Sequence, residues 1–208
     1  MILVILSFSC NSEKEKTVVE IVDHRVNCKN FSDNFEGKIA SFWGKELADV
    51  SRQDIVKDPL NKENQVLRIN LKLEDFVNGG RRSEFKMSPQ DSFGYQTNYS
   101  FKFLLPDSFF QKGEKRGQFI IHQWHDEASP GFDWKTNSKT EPPVSLLIEH
   151  QPNGDYYLIF KTGIKTGSLN EVYTQNWNEK LEPNRWYSFE CEILWSLYNT
   201  VGSVSYTH

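Results

Sequence analysis

From Gln65 to Leu73 the chain reads Gln-Val-Leu-Arg-Ile-Asn-Leu-Lys-Leu, apolar and polar residues taking turns. A period of two belongs to a β-strand with one face buried and one face wet. The pattern returns in Tyr99–Leu105, closed by Pro106-Asp107, and in Trp186–Ile193. Pro143–Glu149 and Tyr156–Lys161 flank Asn153-Gly154 and predict a hairpin, since Asn and Gly tolerate the positive φ of tight strand turns. Thr17–Val22 is a further short candidate, and Asn34–Val50 a loop or a short helix. No window of helical period has comparable strength, and the chain has no internal repeat and no linker rich in Pro, Gly or Ser. Many short strands with polar turns between them predict an all-β fold, a β-sandwich or jelly roll.

One strand departs from the pattern. Gly117–Glu127, Gly-Gln-Phe-Ile-Ile-His-Gln-Trp-His-Asp-Glu, carries polar residues inside an apolar, aromatic run. Strict alternation puts Phe119, Ile121, Gln123 and His125 on one face and Ile120, His122 and Trp124 on the other. Gln123 and His125 then stand about 7 Å apart along the strand, an amide beside an imidazole that exchanges a proton near neutral pH. His125 is a candidate general base; the plainer alternative is a rim histidine held by Asp126 or Glu127. His122, facing the other way, reads as a core histidine. Arg81-Arg82-Ser83-Glu84-Phe85-Lys86 places Arg82, Glu84 and Lys86 on one charged face. Arg82 has the fork that suits a substrate carboxylate, with Glu84 to hold it, against the alternative of an exposed salt bridge of little energetic weight. Lys115 and Arg116 precede the key strand directly and offer a weak subsite for an acidic group.

Composition sharpens this picture. The 208 residues suit a single domain, and 15 Phe, 8 Tyr and 6 Trp favour sheets and stacking against sugar rings. A net charge of −4 gives no global pull toward nucleic acid. Motifs for metals are absent, as are a nucleophile elbow and a phosphate loop. Asp126 and Glu127 point to opposite faces, which makes a poor carboxylate pair for a glycosidase on the same scaffold.

Met1–Ser9 is an apolar run ending at Cys10, followed by Asn-Ser-Glu-Lys-Glu-Lys. Nine residues fall short of the roughly 20 that span a bilayer. The expectation is the end of a lipoprotein-type signal with lipidation at Cys10, residues 1–16 being signal and tether. Ordinary signal cleavage and an N-terminal strand are the alternatives. The expected location is exported, periplasmic or at the outer membrane or cell surface, with a lipid anchor as the only membrane contact. Cys28 and Cys191 remain; two buried free thiols are favoured over a disulfide.

Gly80-Arg81-Arg82-Ser83-Glu84, Ser92-Phe93-Gly94-Tyr95 leading into Tyr99–Phe103, Gln123-Trp124-His125-Asp126-Glu127 and Pro142-Pro143-Val144-Ser145-Leu146, in that order, resemble the heparin lyase I and glucuronan lyase group of polysaccharide lyases. The likeness runs from about Val66 to Trp195 and is specific for the superfamily, not for the polymer. It implies a concanavalin-like jelly roll over residues 17–200, and β-elimination on a uronic-acid polysaccharide of the heparin, heparan sulfate or glucuronan type. By this resemblance Gln123 and Arg82 neutralise the uronate carboxylate and His125 takes the C5 proton. Arg81, Glu84, Trp124, Lys115 and Arg116 are expected to bind substrate. The family's catalytic Tyr, with a nearby Lys, lies in a late strand that follows the segment ending in Trp195-Ser196. Residues 201–208 do not continue the family pattern and read as an unrelated tail, so Tyr206 is not assigned as the acid. The fold is accordingly expected to be incomplete at the C-terminus, with an exposed sheet edge and with reduced activity. No cofactor is identified, calcium being possible; the expected partner is an anionic polysaccharide and the expected state a monomer. The competing function is a non-catalytic carbohydrate-binding jelly roll in which Trp124, Trp134, Trp177 and Tyr156 stack on sugars.

Overall fold

The computed structural model describes residues 2–9, 31–87, 96–110, 117–124, 142, 144–166, 170–195 and 203–207, with backbone alone for 2–9, 96, 164–166, 170–177 and 203–207. Cys10, Thr17–Val22 and Cys28 lie outside these residues. The architecture is all-β, as the alternation predicts, and the helices among the described residues are two single 3₁₀ turns, Val50–Arg52 and Asp107–Phe109. The chain forms two compact units, Met1–Pro106 with Asn184–His208, and Asp107–Pro183.

The strands of the first unit are β1 (Ile2–Ser9), β2 (Phe31–Asp33), β3 (Gly44–Leu47), β4 (Gln53–Lys57), β5 (Gln65–Ile69), β6 (Ser83–Lys86), β7 (Gln96–Leu104), β12 (Trp186–Leu194) and β13 (Ser203–Thr207). Seven of them make one sheet in the order β13-β12-β7-β1-β5-β4, with β2 also on β1, while β3 and β6 make a separate ribbon. All pairings are antiparallel, so one face of each strand can be buried throughout. Phe101 opposes Phe189 and Phe103 opposes Tyr187. Their rings lie 5.3 and 5.5 Å apart, the second pair stacked at 21°. Ser188 and Lys102, opposed on the other face, stay outside the core. Burying each of these aromatic side chains stabilises by about 1.5–3 kcal/mol, with up to about 1 more for each ring pair. Cys191 extends the same buried face, and burial pushes its thiol up to about 12, which leaves it unreactive near neutral pH.

Two buried carboxylates shape the connections. Asp33 accepts from the backbone N–H of Phe35 (2.9 Å) and Ala40 (2.8 Å) and from the Trp43 indole (3.1 Å), so the loop after β2 folds around it. Asp75 is 1% exposed and takes both bonds of the Arg52 Nε (2.8 and 2.7 Å) and the N–H of Lys72. That anchor turns the chain out of the sheet. The strand expected through Leu73 therefore ends at Ile69, and Leu73 is exposed although its pattern suggests a continued strand.

The second unit is one four-stranded sheet, β11-β10-β9-β8, built from β8 (Gln118–Trp124), β9 (Val144–His150), β10 (Tyr156–Thr166) and β11 (Asn170–Lys180). The expected hairpin is present: Gly154 has φ 89° and its N–H reaches the carbonyl of Gln151 at 2.9 Å. All seven residues of β9 are buried.

β1 is hydrogen-bonded on both sides, to β7 along its whole length below Cys10 and to β5 and β2 on the other edge. A chain beginning at Cys10 lacks this strand, so the leader reading and the strand reading exclude each other within one molecule. Residues 203–207, expected to be a tail, pair with β12 from Glu190 to Leu194. Deleting residues 1–9 removes the strand joining β5 to β7 and should lower the melting temperature by roughly 10 °C or more. Thermal unfolding followed by circular dichroism checks this; an unchanged melting temperature would show that the strand contributes nothing.

Candidate active site

The register of β8 against β9 decides which of its side chains share a face. Gln118, Phe119 and Ile120 oppose Glu149, Ile148 and Leu147; then His122, Gln123 and Trp124 oppose Leu146, Ser145 and Val144. Ile121 is the extra residue of a β-bulge, and a bulge swaps the faces beyond it. Gln123 therefore sides with Gln118 and Ile120, not with Phe119 and Ile121 as strict alternation predicts. The contact of Gln118 Nε2 with Glu149 Oε2 at 3.1 Å fixes this as the polar face.

His122 and Trp124 share the opposite, apolar face with Phe119, Ile148 and Leu158. Their rings are 4.3 Å apart. Burial pushes the His122 imidazole down to about 4, as fits the core histidine expected there. Trp124 is buried too, which withdraws it from the substrate-stacking role assigned from sequence. Tyr156 is likewise buried, stacked on His150 at 4.4 Å and edge-on to Phe110. Two of the four rings invoked for a non-catalytic sugar-binding module are thus core residues; the side chains of Trp134 and Trp177 lie outside the described residues.

The polar face continues across the sheet. Ser145 lies opposite Gln123 on one side and opposite Lys161 on the other, giving a row of amide, hydroxyl and ammonium over β8, β9 and β10. The next row is Ile120, Leu147 and Ile159, and the one after it Gln118, Glu149 and Tyr157. Gln123 makes no hydrogen bond to another side chain among the described residues and is half-buried. His125, Lys115 and Arg116 lie outside the described residues.

Arg82 belongs to the first unit, just before β6, and its surroundings are built by one carboxylate. Glu46 stands directly opposite Glu84 in the β3–β6 ribbon. It accepts from Arg82 Nη1 at 3.1 Å and Lys86 Nζ at 2.6 Å, and from the Asn78 side chain. Glu84, the partner expected from sequence, is 3.8 Å from Nη1, the looser contact. Two carboxylates facing each other across a ribbon repel, and Arg82 and Lys86 offset that. Lys86 above all, with Asn78 and Arg82, holds the Glu46 carboxyl below its usual range. Desolvation raises that of Glu84, which Arg82 opposes and the charge of Glu46 reinforces. Glu46 carries no signal in the sequence, because only strand register brings it to Arg82. Arg81 is exposed at the turn.

The turn itself is a tight one. Val77 and Gly80 exchange N–H···O bonds of 2.8 and 3.0 Å around Asn78 (φ 48°) and Gly79 (φ 84°), the two positive φ values of a type I′ hairpin turn. Gly80 has a different reason to be glycine. A Cβ there would sit 3.2 Å from Arg82 Nη2, so the guanidinium rests on the bare backbone.

Residues 34–206 match a family model described as polysaccharide lyase. The chain belongs to the polysaccharide lyase family. No curated protein and no solved structure gives a significant match. The all-β architecture is that of the jelly-roll domain expected of such a lyase, and the Gln123 strand and the Arg82 ribbon both fall inside the matched span.

Two outcomes follow from this lyase's geometry. The folded chain holds His122 neutral, so its share of stability is complete above pH 6.5 and is lost as the pH falls toward 4, where the unfolded chain binds the proton first. Each tenfold difference in proton affinity between the folded and unfolded chain is worth about 1.4 kcal/mol, which makes that share up to about 3 kcal/mol. Denaturant unfolding at pH 7 and pH 5 should show the loss in the native chain and less of it in His122→Phe. Gly80→Ala crowds the guanidinium, which must give by a few tenths of an ångström; the variant should fold with a stability change within about 1 kcal/mol, while a crystal structure shows the Arg82 guanidinium displaced from Gly80.

Proposed function

We propose that this polysaccharide lyase cleaves a uronic-acid-containing polysaccharide by β-elimination, with polymers of the heparin, heparan sulfate or glucuronan type as substrates. The observation that carries the reading is the Gln123 amide on the polar face of β8, without a side-chain partner among the described residues and held there by the bulge and by the packing of its neighbours His122 and Trp124. The C5 proton of a uronate is weakly acidic while the adjacent carboxylate is charged. Hydrogen-bond donors on that carboxylate stabilise the enolate-like intermediate formed when the proton leaves. Gln123 is the donor in this reading, the family resemblance of the sequence assigns Arg82 to the same carboxylate, and His125 takes the C5 proton. The C4–O bond then breaks, C4 and C5 become doubly bonded, and the leaving glycosidic oxygen takes a proton from an acid. No water is consumed.

The reaction leaves a conjugated unsaturated uronate, visible by ultraviolet absorbance. The native chain should generate that band from at least one uronate polymer and none from neutral glucans. His125→Ala and Gln123→Ala should each cut the rate by about a hundredfold or more with polymer binding largely kept. Binding and turnover lost in parallel would instead mark these residues as parts of a binding module.

A further inference from the structure

We infer that Lys161 is the cation that meets the substrate's acidic group beside Gln123, so that the row Gln123–Ser145–Lys161 is an anionic-sugar subsite. This rests on the reading of Gln123 above and names a residue that neither the motifs nor the sequence pattern singles out. Its first support is register. Ser145 pairs with Gln123 in β8 and with Lys161 in β10, and residues paired across antiparallel strands point to the same face. Two strand spacings separate Gln123 from Lys161, about 10 Å at the backbone. Ser145, the small residue between them, is itself buried, while the Gln123 and Lys161 side chains on either side of it are half-buried. A four-carbon lysine stem and an amide reaching in from opposite sides can then contact one carboxylate held over Ser145.

The second support is charge. Arg52, Arg82, Lys86 and Lys180 each lie beside a carboxylate. Lys161 has no such partner among the described residues. The nearest acid along its own face on β9 is Glu149, four residues from Ser145 and so about 13 Å away along the strand. Glu149 is moreover occupied with Gln118 and Gln151. Arg82 presents the opposite case. Its Nη1 is shared by Glu46 and Glu84, which offsets much of its charge within the protein, although its Nε is buried with no partner among the described residues. Lys161 is the half-buried cation left uncompensated in the row of the free amide.

The third support is the cost of the arrangement. Lys161 lies on an inner strand of the sheet, next along its face to the buried Ile159. Desolvating an ammonium there without a counter-ion is unfavourable, and Thr or Val would serve the strand better. An incoming carboxylate or sulfate supplies the missing counter-charge. The face is also polarised along the strands, Glu149 at one end and Lys161 at the other, which orients an acidic sugar toward the Gln123 end.

The test compares binding of a polyuronate with binding of the same polymer after its carboxyl groups have been reduced to alcohols, by affinity electrophoresis. Native protein should prefer the acidic polymer. Lys161→Met should weaken acidic binding by about tenfold or more and erase the preference, and Lys161→Arg should restore most of it. Lys57→Met, an exposed charge on β4, should change little, which separates a specific contact from a loss of overall charge. Lys161→Gln repeats the measurement should the methionine variant not fold by circular dichroism. An unchanged preference in folded Lys161→Met or Lys161→Gln overturns the inference, as does a native protein indifferent to the carboxylates. Because the readout is binding, it is independent of turnover. A Lys161-dependent preference without unsaturated product would retain the subsite and remove the elimination reaction.

Discussion

Beyond Ile121 every side chain of β8 lies on the face opposite to the one that strict alternation gives it, and the site depends on that single inserted residue. Without the bulge, His122 and Trp124 would sit on the polar face and Gln123 would be pressed into a core lined by Leu146, Ile148 and Phe160. An unpaired buried amide costs on the order of 1–3 kcal/mol, so the unbulged register is unfavourable. The same device satisfies both needs: aromatic packing anchors the strand from below, and an amide is released above it. The fully buried β9 fixes the arrangement, since it has a partner strand on each side and a one-residue slip would move Val144, Leu146 and Ile148 to the polar face.

The ribbon that carries Arg82 solves a different problem. Glu46 and Glu84 confront each other, and the two cations of β6 and its approach hold them together. A guanidinium resting on Gly80, bonded to Glu46 and tied through Asn78 to the preceding turn, has little rotamer freedom left. The arrangement positions Arg82 firmly but spends much of its charge locally. Lys161, by contrast, has no carboxylate beside it among the described residues, which is what gives it weight in the proposed anion recognition.

The sequence shows those elements whose signal is local. β7 and β12 follow from alternation, because each buries one face, and the hairpin follows from the turn chemistry of Asn153-Gly154. β5 ends earlier than its pattern, because the buried Arg52–Asp75 pair, 23 residues apart in sequence, pulls the chain away from the sheet. At the site, the polar insertion in Gly117–Glu127 marks the right strand, while the bulge that sets its faces leaves no trace in composition. Glu46 and Lys161 are legible only in register, being ordinary charged residues in sequence. Strand Ile2–Ser9 shows the converse: the apolarity that suits an export leader also suits an inner sheet strand.

The central claim is that a sugar-acid polymer is cut by elimination, without water. Digesting a uronate polymer in oxygen-labelled water and weighing the products by mass spectrometry tests it directly. Elimination predicts products whose new ends carry no solvent oxygen, one of each pair lighter than a hydrolysis product by one water. One labelled oxygen incorporated per cleavage would identify a hydrolase and contradict the account.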